Sequence, residues 1–429
     1  MNKEYDIVVL GGGSAGMASA LRASEQGLKV AIIERENRLG GILNQCIHNG
    51  FGLNYFKQEL TGPEYAKRFS DKVKSSNIEV MLETTILDIK EKKSNQKNDL
   101  LNGKNATSPR YEISCISPKG AFKVGAKAVV CALGCRERPS GAINLCGTRP
   151  AGVMSAGSAQ KMVNIYGKMV GKNIVIVGSG DIGLIMARRL RYEGGNVLGV
   201  YEVMPHPSGL KRNIVQCLED YNIPLHLSKT VVEVVGETRV EGVWVAPVKS
   251  DFSFDLDKKE FIPCDTVILS IGLVPENDLL SHMGVTQNLI TGGAKVDEYL
   301  MTDKVGVFSC GNVLHVHDIV DNVSKESERA GENAGKYVKG LLSLDNPHDI
   351  QFGSGLRYIN PTKFYESDGI LTLNFRSSAI FRNCDIVVTC GEKEIRRVPK
   401  KVILPAEMET VILSKMGLKN NIKVYIESR

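Results

Sequence analysis

The chain has 429 residues, 42% of them hydrophobic and 24% charged, and these proportions predict a globular protein of two or three domains. Its formal net charge is only +6, and Lys and Arg are interspersed with Asp and Glu, which argues against nucleic-acid binding. No apolar run approaches the roughly 20 residues that span a bilayer, and the first residues lead directly into a strand without signal-peptide features, so we expect a cytoplasmic protein.

Residues 5–34 have the pattern of a strand, a glycine turn, a helix and a second strand that ends in an acid. Gly11, Gly13 and Gly16 form a GxGxxG turn, and Glu34 follows Gly16 by 18 residues. The first glycine permits the tight turn, the second lets the backbone approach a pyrophosphate, and the third lets helix and strand pack closely. Glu34 is then placed to accept hydrogen bonds from ribose hydroxyls. The pattern predicts a dinucleotide-binding unit.

A second copy of this pattern begins 167 residues later, with Gly178, Gly180 and Gly183 in the turn. Glu202 follows Gly183 by 19 residues, at the end of the next predicted strand. Val, Met and Pro come directly after Glu202, so there is no arginine to receive a 2′-phosphate. The second site is therefore expected to favour NAD(H) over NADP(H).

Four further segments complete a family resemblance: residues 128–139 (AVVCALGCRERP), 265–278 (DTVILSIGLVPEND), 305–321 (VGVFSCGNVLHVHDIVD) and 324–342 (SKESERAGENAGKYVKGLL). With both glycine turns, they make the first 345 or so residues resemble the pyridine nucleotide disulfide oxidoreductase superfamily. The resemblance implies FAD in the first site and NAD(H) in the second. One departure is Asn312, which stands where the family has an acid that holds the ribityl chain.

The resemblance implies an α/β fold with two Rossmann-like dinucleotide-binding domains. The FAD domain is expected to be discontinuous (1–160 and 290–345), with the NAD(H) domain inserted at 166–290. Alternating apolar and polar residues predict a small β-rich domain at 350–429, and the polar stretch 90–110 is expected to be an insertion or mobile loop. The expected cofactor-binding residues are Gly11, Gly13, Ser14, Ala15, Gly16, Glu34, Arg35, Gly40, Gly41, Ala132, Gly134, Gly178, Gly180, Asp181, Ile182, Gly183, Glu202, Gly272, Gly311 and Asn312.

A candidate redox residue lies in residues 39–53 (LGGILNQCIHNGFGL), where many flavin disulfide reductases carry two cysteines and this chain has only Cys46. None of the ten cysteines forms a CxxC pair, which argues against a zinc ribbon, an iron–sulfur loop or a thioredoxin-type pair. Two interpretations of Cys46 remain open. It is either a thiol activated at the start of a helix beside the flavin or a small packing residue.

Three of the seven histidines, His48, His315 and His317, fall in segments expected to border the flavin. They are candidates for proton transfer, with Asp318 placed to orient one of the latter two, although a purely structural role is an equal alternative. Metal binding is a weaker alternative, because no third ligand is evident at a suitable spacing, and no metal is expected.

These features predict an FAD-dependent oxidoreductase that transfers hydride between NADH and FAD and passes electrons to a partner subunit or another acceptor, not to a disulfide. The chain is also similar to flavoproteins encoded beside anaerobic glycerol-3-phosphate dehydrogenases and to subunits of opine oxidase, hydrogen cyanide synthase and dye-linked proline dehydrogenase. That similarity implies a link to glycerol-3-phosphate oxidation, and other subunits or a homo-oligomer as partners. The alternatives are a subunit of a dehydrogenase that oxidises a small amine or hydroxy acid, and a regulatory subunit with a vestigial nucleotide site.

Overall fold

The structure is a computed structural model that describes residues 3–92 and 109–429. The described residues form two compact units, one with residues 3–135 and 275–429 and the other with Arg136–Val274. The chain thus leaves the first unit and later returns to it, while the domain limits given above stay a prediction. Most of the polar stretch 90–110 lies outside the described residues.

The described residues contain seven α-helices and 28 strands. The helices are α1 Ser14–Ser24, α2 Gly62–Lys74, α3 Ala156–Asn164, α4 Asp181–Tyr192, α5 Lys211–Cys217, α6 Asp278–His282 and α7 Val320–Val338. The strands are β1 Lys3–Leu10, β2 Val30–Ile33, β3 Asn49–Phe51, β4 Leu60–Thr61, β5 Glu79–Met81, β6 Thr85–Glu91, β7 Tyr111–Ser117, β8 Gly120–Cys131, β9 Cys135–Glu137, β10 Cys146–Gly147, β11 Val153–Ser155, β12 Asn173–Val177, β13 Asn196–Glu202, β14 Leu225–Leu227, β15 Lys229–Val235, β16 Gly242–Pro247, β17 Glu260–Pro263, β18 Thr266–Leu269, β19 Leu273–Pro275, β20 Val307–Ser309, β21 Pro347–Phe352, β22 Leu356–Asn360, β23 Lys363–Tyr365, β24 Ile370–Ser377, β25 Phe381–Cys390, β26 Lys393–Ile403, β27 Glu409–Ser414 and β28 Ile422–Ser428.

A seven-stranded sheet forms the centre of the first unit, in the order β5-β2-β1-β8-β7-β6, with β20 paired to the end of β8. Strands β5, β2, β1, β8 and β20 run parallel, whereas β7 and β6 are antiparallel additions. Residues 7–10 of β1 are apolar and fully buried, as expected for a strand whose two faces are both covered.

Helices α1 and α7 pack against each other in this unit, and glycine makes their close contact possible. A Cβ added to Gly331 would lie 2.0 Å from the carbonyl oxygen of Ser19, so the α7 backbone touches α1 directly. Neither α7 nor any other helix within residues 3–92 and 109–429 is both long enough and apolar enough to cross a membrane.

The second unit contains a five-stranded sheet in the order β11-β18-β12-β13-β14, in which every neighbouring pair is parallel. A second sheet, β10-β15-β16-β17, is mostly antiparallel. Parallel sheets joined through helices in both units confirm the predicted α/β fold class.

The C-terminal region is β-rich, as its alternating pattern predicts. A five-stranded sheet, β23-β21-β28-β25-β26, and a three-stranded sheet, β22-β24-β27, enclose an apolar core of their own that includes Phe364, Phe375 and Ile386. An ion pair joins this region to the preceding part of the same unit: Lys415 Nζ lies 2.7 Å from the carboxylate of Glu298, and both side chains are 4% exposed.

Candidate functional site

The first glycine turn connects β1 to α1 and has one open side. A Cβ on Gly11, whose φ is +99°, would lie 2.6 Å from the Ala132 carbonyl oxygen, and a Cβ on Gly16 would lie 1.8 Å from the Gly11 carbonyl oxygen. No atom lies within 4 Å of the corresponding position on Gly13. The first and third glycines therefore serve backbone packing, while the second leaves the turn accessible to a ligand.

The Glu34 carboxylate is turned towards this loop. Its Oε2 accepts a hydrogen bond from the Gly12 amide at 2.7 Å, and its Oε1 accepts one from the Glu36 amide at 2.8 Å. The side chain is largely buried, so the carboxylate has a defined orientation at the end of β2. Arg35, which was also expected to bind the cofactor, is exposed.

Four more of the expected residues meet at the same turn. The Gly40 amide donates to the Gly12 carbonyl oxygen at 2.8 Å, and a Cβ on Gly41 would lie 3.1 Å from the Gly13 Cα. Ala132 contacts the turn from β8, as described above. A Cβ on Gly311 would lie 2.8 Å from the Ala15 Cβ, so Gly311 packs on the first turn of α1.

The second glycine turn connects β12 to α4 and is supported by Ser270, a residue that the sequence analysis missed. A Cβ on Gly178 would lie 2.2 Å from the Ser270 carbonyl oxygen, and one on Gly183 would lie 2.6 Å from the Ser270 Cβ. The Ser270 hydroxyl also accepts a hydrogen bond from the Gly183 amide at 3.1 Å. A serine after a strand carries no distinctive signal, which is why the pattern did not reveal it.

The Glu202 carboxylate repeats the arrangement of Glu34. Its Oε2 accepts from the amide of Ser179, the residue after the first glycine, at 2.9 Å, and its Oε1 accepts from the Met204 amide at 2.9 Å. Two hydroxyl groups add to this arrangement, because those of Ser179 and Ser208 also donate to Oε2. Glu202 is 3% exposed, and these four donors stabilise its charge there.

Asp181 starts α4 and holds the segment after β13. Its Oδ1 accepts from the Leu210 amide at 2.8 Å and from the Asn213 side chain at 2.7 Å. Ile182 packs against the apolar core of the second unit. Gly272 accepts a hydrogen bond at its carbonyl oxygen from the Arg138 amide at 3.0 Å.

The residues at both turns fit a dinucleotide. Each turn precedes a helix of more than ten residues, so unpaired amides and the positive end of the helix dipole are available to a pyrophosphate. In both turns a buried carboxylate is fixed at the end of the neighbouring strand, where it can accept hydrogen bonds from a ribose.

Cys46 directly follows the short 3₁₀ turn Gly41–Gln45 and is not itself part of a helix. Its Sγ donates to the Ile42 carbonyl oxygen at 3.3 Å, and a Cβ on Gly62 would lie 2.9 Å from the Cys46 Cβ. Burial raises the pKa of the thiol to about 12. A group with this pKa is protonated at neutral pH, which favours the packing interpretation.

His315 and His317 lie together around a carboxylate that the sequence analysis missed. The Nε2 atom of His315 lies 2.8 Å from Glu326 Oε2, and that of His317 lies 3.1 Å from Glu326 Oε1. Glu326 belongs to α7, which begins at Val320, directly after the segment of the histidines, and places the carboxylate beside both of them. His48 has other neighbours, because its Nδ1 lies 3.0 Å from the Asn49 carbonyl oxygen and its ring 4.9 Å from that of Phe51.

Asp318 does not orient a histidine through its carboxylate, contrary to expectation. It forms an ion pair with Arg376 of β24 and accepts a hydrogen bond from the Met408 amide at 2.8 Å. The Arg376 guanidinium also donates to the Val316 carbonyl oxygen at 3.0 Å. The C-terminal strands therefore fix the segment that carries both histidines.

The ligand atoms of His315, His317 and Glu326 lie within 4.8 Å of one another, which is close enough for a shared metal ion. A histidine that binds a metal usually gives its second ring nitrogen to another polar group. The Nδ1 atoms of both histidines are buried without a hydrogen-bond partner among the described residues. The distances of 2.8 and 3.1 Å from the two Nε2 atoms to the Glu326 carboxylate are those of hydrogen bonds, and the unpartnered Nδ1 atoms are not typical of metal ligands.

A family model described as pyridine nucleotide-disulphide oxidoreductase matches residues 5–333. Hydrogen cyanide synthase subunit HcnB of Pseudomonas protegens is 26% identical over 67% of this chain, which covers only 60% of HcnB. An opine oxidase subunit of Agrobacterium tumefaciens is 25% identical over 96% of this chain and 82% of its own length. The solved structure of thioredoxin reductase from T. acidophilum shares the fold, with a TM-score of 0.59 at 22% identity, covering 79% of this chain and 98% of its own.

Proposed function

The chain belongs to the pyridine nucleotide-disulphide oxidoreductase family, whose members use FAD and NAD(P)H, and from this premise we propose that it is an NADH:FAD oxidoreductase that serves an acceptor other than a disulfide. FAD and NADH, when bound, supply the hydride transfer itself. The observation that carries the proposal is the repeated site, in which Glu34 and Glu202 are each fixed beside a glycine turn that precedes a helix. The residues at these turns bind and orient the two cofactors.

Preference for NADH is supported by the surroundings of Glu202. Four protein donors hold a buried carboxylate where an adenosine ribose would be recognised. A carboxylate accepts hydrogen bonds from a ribose diol but repels a 2′-phosphate, and no arginine or lysine lies among residues 203–210 to compensate.

An acceptor other than a disulfide is supported by the cysteines. All ten lie within the described residues, and none of them is in a disulfide. The thiol of Cys46, in the segment where disulfide reductases carry their pair, has a raised pKa and packs against the start of α2.

The acceptor is proposed to be another protein of the same complex. Two relatives of this chain are named as subunits, one of hydrogen cyanide synthase and one of opine oxidase. The similarity to the opine oxidase protein extends over 96% of the chain and therefore also supports the second candidate function, a subunit of a dehydrogenase that oxidises a small amine or hydroxy acid. A link to glycerol-3-phosphate oxidation remains part of the proposal.

Anaerobic reduction of the bound flavin tests these functions. The purified protein is expected to be yellow, and NADH is expected to bleach the flavin absorbance faster than NADPH. Bleaching by an amine or a hydroxy acid but not by NADH would support the second candidate. An absence of bleaching by all of these compounds would contradict both functions and favour the vestigial nucleotide site.

The role of Cys46 has its own test. A Cys46→Ser variant keeps a donor for the Ile42 carbonyl oxygen and is expected to retain NADH-dependent dye reduction within about twofold, because the thiol is not ionised. Cys390→Ser is the matched control. If Cys46→Ser loses more than about tenfold of its dye reduction and Cys390→Ser does not, Cys46 takes part in the mechanism.

A further inference from the structure

Glu326 is a buried carboxylate with three nitrogen partners. It lies on α7 and is 4% exposed. Besides the two histidine nitrogens, the Gly311 amide donates to its Oε1 at 2.9 Å. One side chain therefore holds His315, His317 and the backbone of Gly311 together.

The same cluster reaches the expected ribityl-binding position. The Asn312 Oδ1 accepts a hydrogen bond from the His317 amide at 3.0 Å, and its Nδ2 lies 3.7 Å from Cys135 Sγ. Gly311 packs on Ala15 at the start of α1. A change at Glu326 is thus transmitted through Gly311 and His317 to a turn that touches the first dinucleotide loop.

Because Glu326 is charged, the charge of the side chain at position 312 affects the stability of this turn. Burial opposes ionisation of the carboxyl, but its interactions with the two histidine rings outweigh burial and hold the pKa of Glu326 well below its usual value. An anion is therefore buried next to Gly311. Asn312 follows Gly311, whose amide contacts Glu326, so a carboxylate at position 312 would add a second negative charge close to the buried one, and like charges at short range repel each other.

We propose that Glu326 is a positioning residue for the turn of Gly311 and Asn312, and that its buried charge requires a neutral side chain at position 312. This role rests on the proposed function and deepens it, since FAD is the ligand that this turn would hold. Glu326 places a negative charge behind this turn, and the short sequence motif around Gly311 and Asn312 does not include Glu326.

The first test replaces Glu326 with Gln, which keeps the shape of the side chain and removes its charge. The dissociation constant of FAD, measured by fluorescence titration of the apoprotein, is expected to rise about tenfold, the effect of losing one charge-assisted hydrogen bond. Glu332→Gln, on an exposed part of the same helix, is the control and is expected to change it by less than about twofold. An unchanged dissociation constant in Glu326→Gln would overturn the positioning role.

The second test is a double-mutant cycle with Asn312→Asp, whose single variant can be measured whether or not Glu326→Gln folds. In the wild-type background this change is expected to weaken FAD binding about tenfold and to lower the Tm of the apoprotein. In the Glu326→Gln background both losses are expected to disappear. Equal losses in both backgrounds, or tighter FAD binding by the single Asn312→Asp variant, would overturn the proposal.

The two kinds of failure are distinguishable. A wild-type protein that binds no FAD would contradict the proposed function, whereas the coupling between positions 312 and 326 would still be decided by the Tm of the four apoproteins. A purely structural role of Glu326 predicts a lower Tm for Glu326→Gln with no dependence on the charge at position 312.

Discussion

Glu34 and Glu202 occupy equivalent positions in the two glycine-turn sites, yet their surroundings differ. Both accept hydrogen bonds from two backbone amides, and only Glu202 also accepts from hydroxyl groups, those of Ser179 and Ser208. These added donors restrict the carboxylate to one orientation. At the residue scale, Glu202 is therefore the more firmly held of the two carboxylates.

A Glu202→Ala substitution is expected to narrow the preference for NADH over NADPH by about tenfold, because a buried acceptor of ribose hydroxyls and a source of repulsion are both removed. The measurement is the ratio of kcat/KM values for NADH and NADPH in dye reduction. Glu219→Ala, at an exposed position of the same unit, provides the control. An unaltered ratio would show that Glu202 does not contact the ribose.

Asp297 is a second buried acid with a perturbed pKa. Its Oδ1 accepts from the Tyr299 and Met301 amides, and its Oδ2 accepts from the Tyr365 hydroxyl at 3.1 Å. Burial is the largest influence and raises the pKa of Asp297 from 3.8 to about 7. The folded protein therefore holds this proton in a pH range where the unfolded chain has released it.

This difference gives a pH dependence of known sign. Between about pH 4 and pH 7 the folded state binds more protons at Asp297 than the unfolded state, so the contribution of this group to stability falls as the pH rises. Asp297→Asn is expected to remove that fall. Between pH 5 and pH 8 the difference in unfolding free energy between the variant and wild type is expected to change by about 1–4 kcal/mol in favour of the variant. Urea unfolding at both pH values provides the measurement. Parallel pH profiles for the two proteins would contradict the shifted pKa.

At the scale of whole elements, ion pairs fix the C-terminal strands to the rest of their unit. Lys415, directly after β27, pairs with Glu298 in a buried position, and Arg376 of β24 pairs with Asp318. Glu298 also accepts a hydrogen bond from the Tyr365 amide at 2.8 Å. Because Asp318 follows His317, the C-terminal strands contribute to the site as well as to the stability of the unit.

Removal of one partner from the buried pair leaves the other charge uncompensated. Lys415→Met is expected to lower the free energy of unfolding by about 3–5 kcal/mol. The double variant Lys415→Met/Glu298→Gln is expected to recover part of this loss, since no unpaired charge remains. Lys419→Met, at a nearby exposed position, is the control in urea unfolding. A loss below about 1 kcal/mol for Lys415→Met would mean that the pair is accessible to solvent.

At the scale of the whole molecule, the same structural motif occurs in both compact units. Each unit carries a strand, a glycine turn, a helix and an acid at the end of the neighbouring strand, and each of these parts was predictable because its residues lie within about 30 positions of one another. The alternation of the C-terminal strands was predictable for the same reason.

The surroundings of the candidate catalytic residues could not be predicted in this way, because they depend on which side chains the turns and helices bring together and not on a repeated spacing. The raised pKa of Cys46 results from its burial against α2, and the partner of His315 and His317 comes from the following helix and not from the expected Asp318. Ser270 lies in one of the segments that carry the family resemblance, and Ser208 follows Glu202 by six residues, but a single serine gives no signal of its contacts, so neither was predicted at the second turn.

From its sequence alone, this protein could be assigned its α/β fold class, its two glycine turns and the acids at the ends of the neighbouring strands, because local spacing and hydrophobic periodicity specify them. The tertiary structure decided which polar side chains meet in the interior. It grouped Glu326 with two histidines, paired Asp318 with Arg376 and packed Cys46, the candidate redox residue, against the start of α2. Burial and the pairing of charges depend on which surfaces come together in space, and spacing along the chain does not specify that.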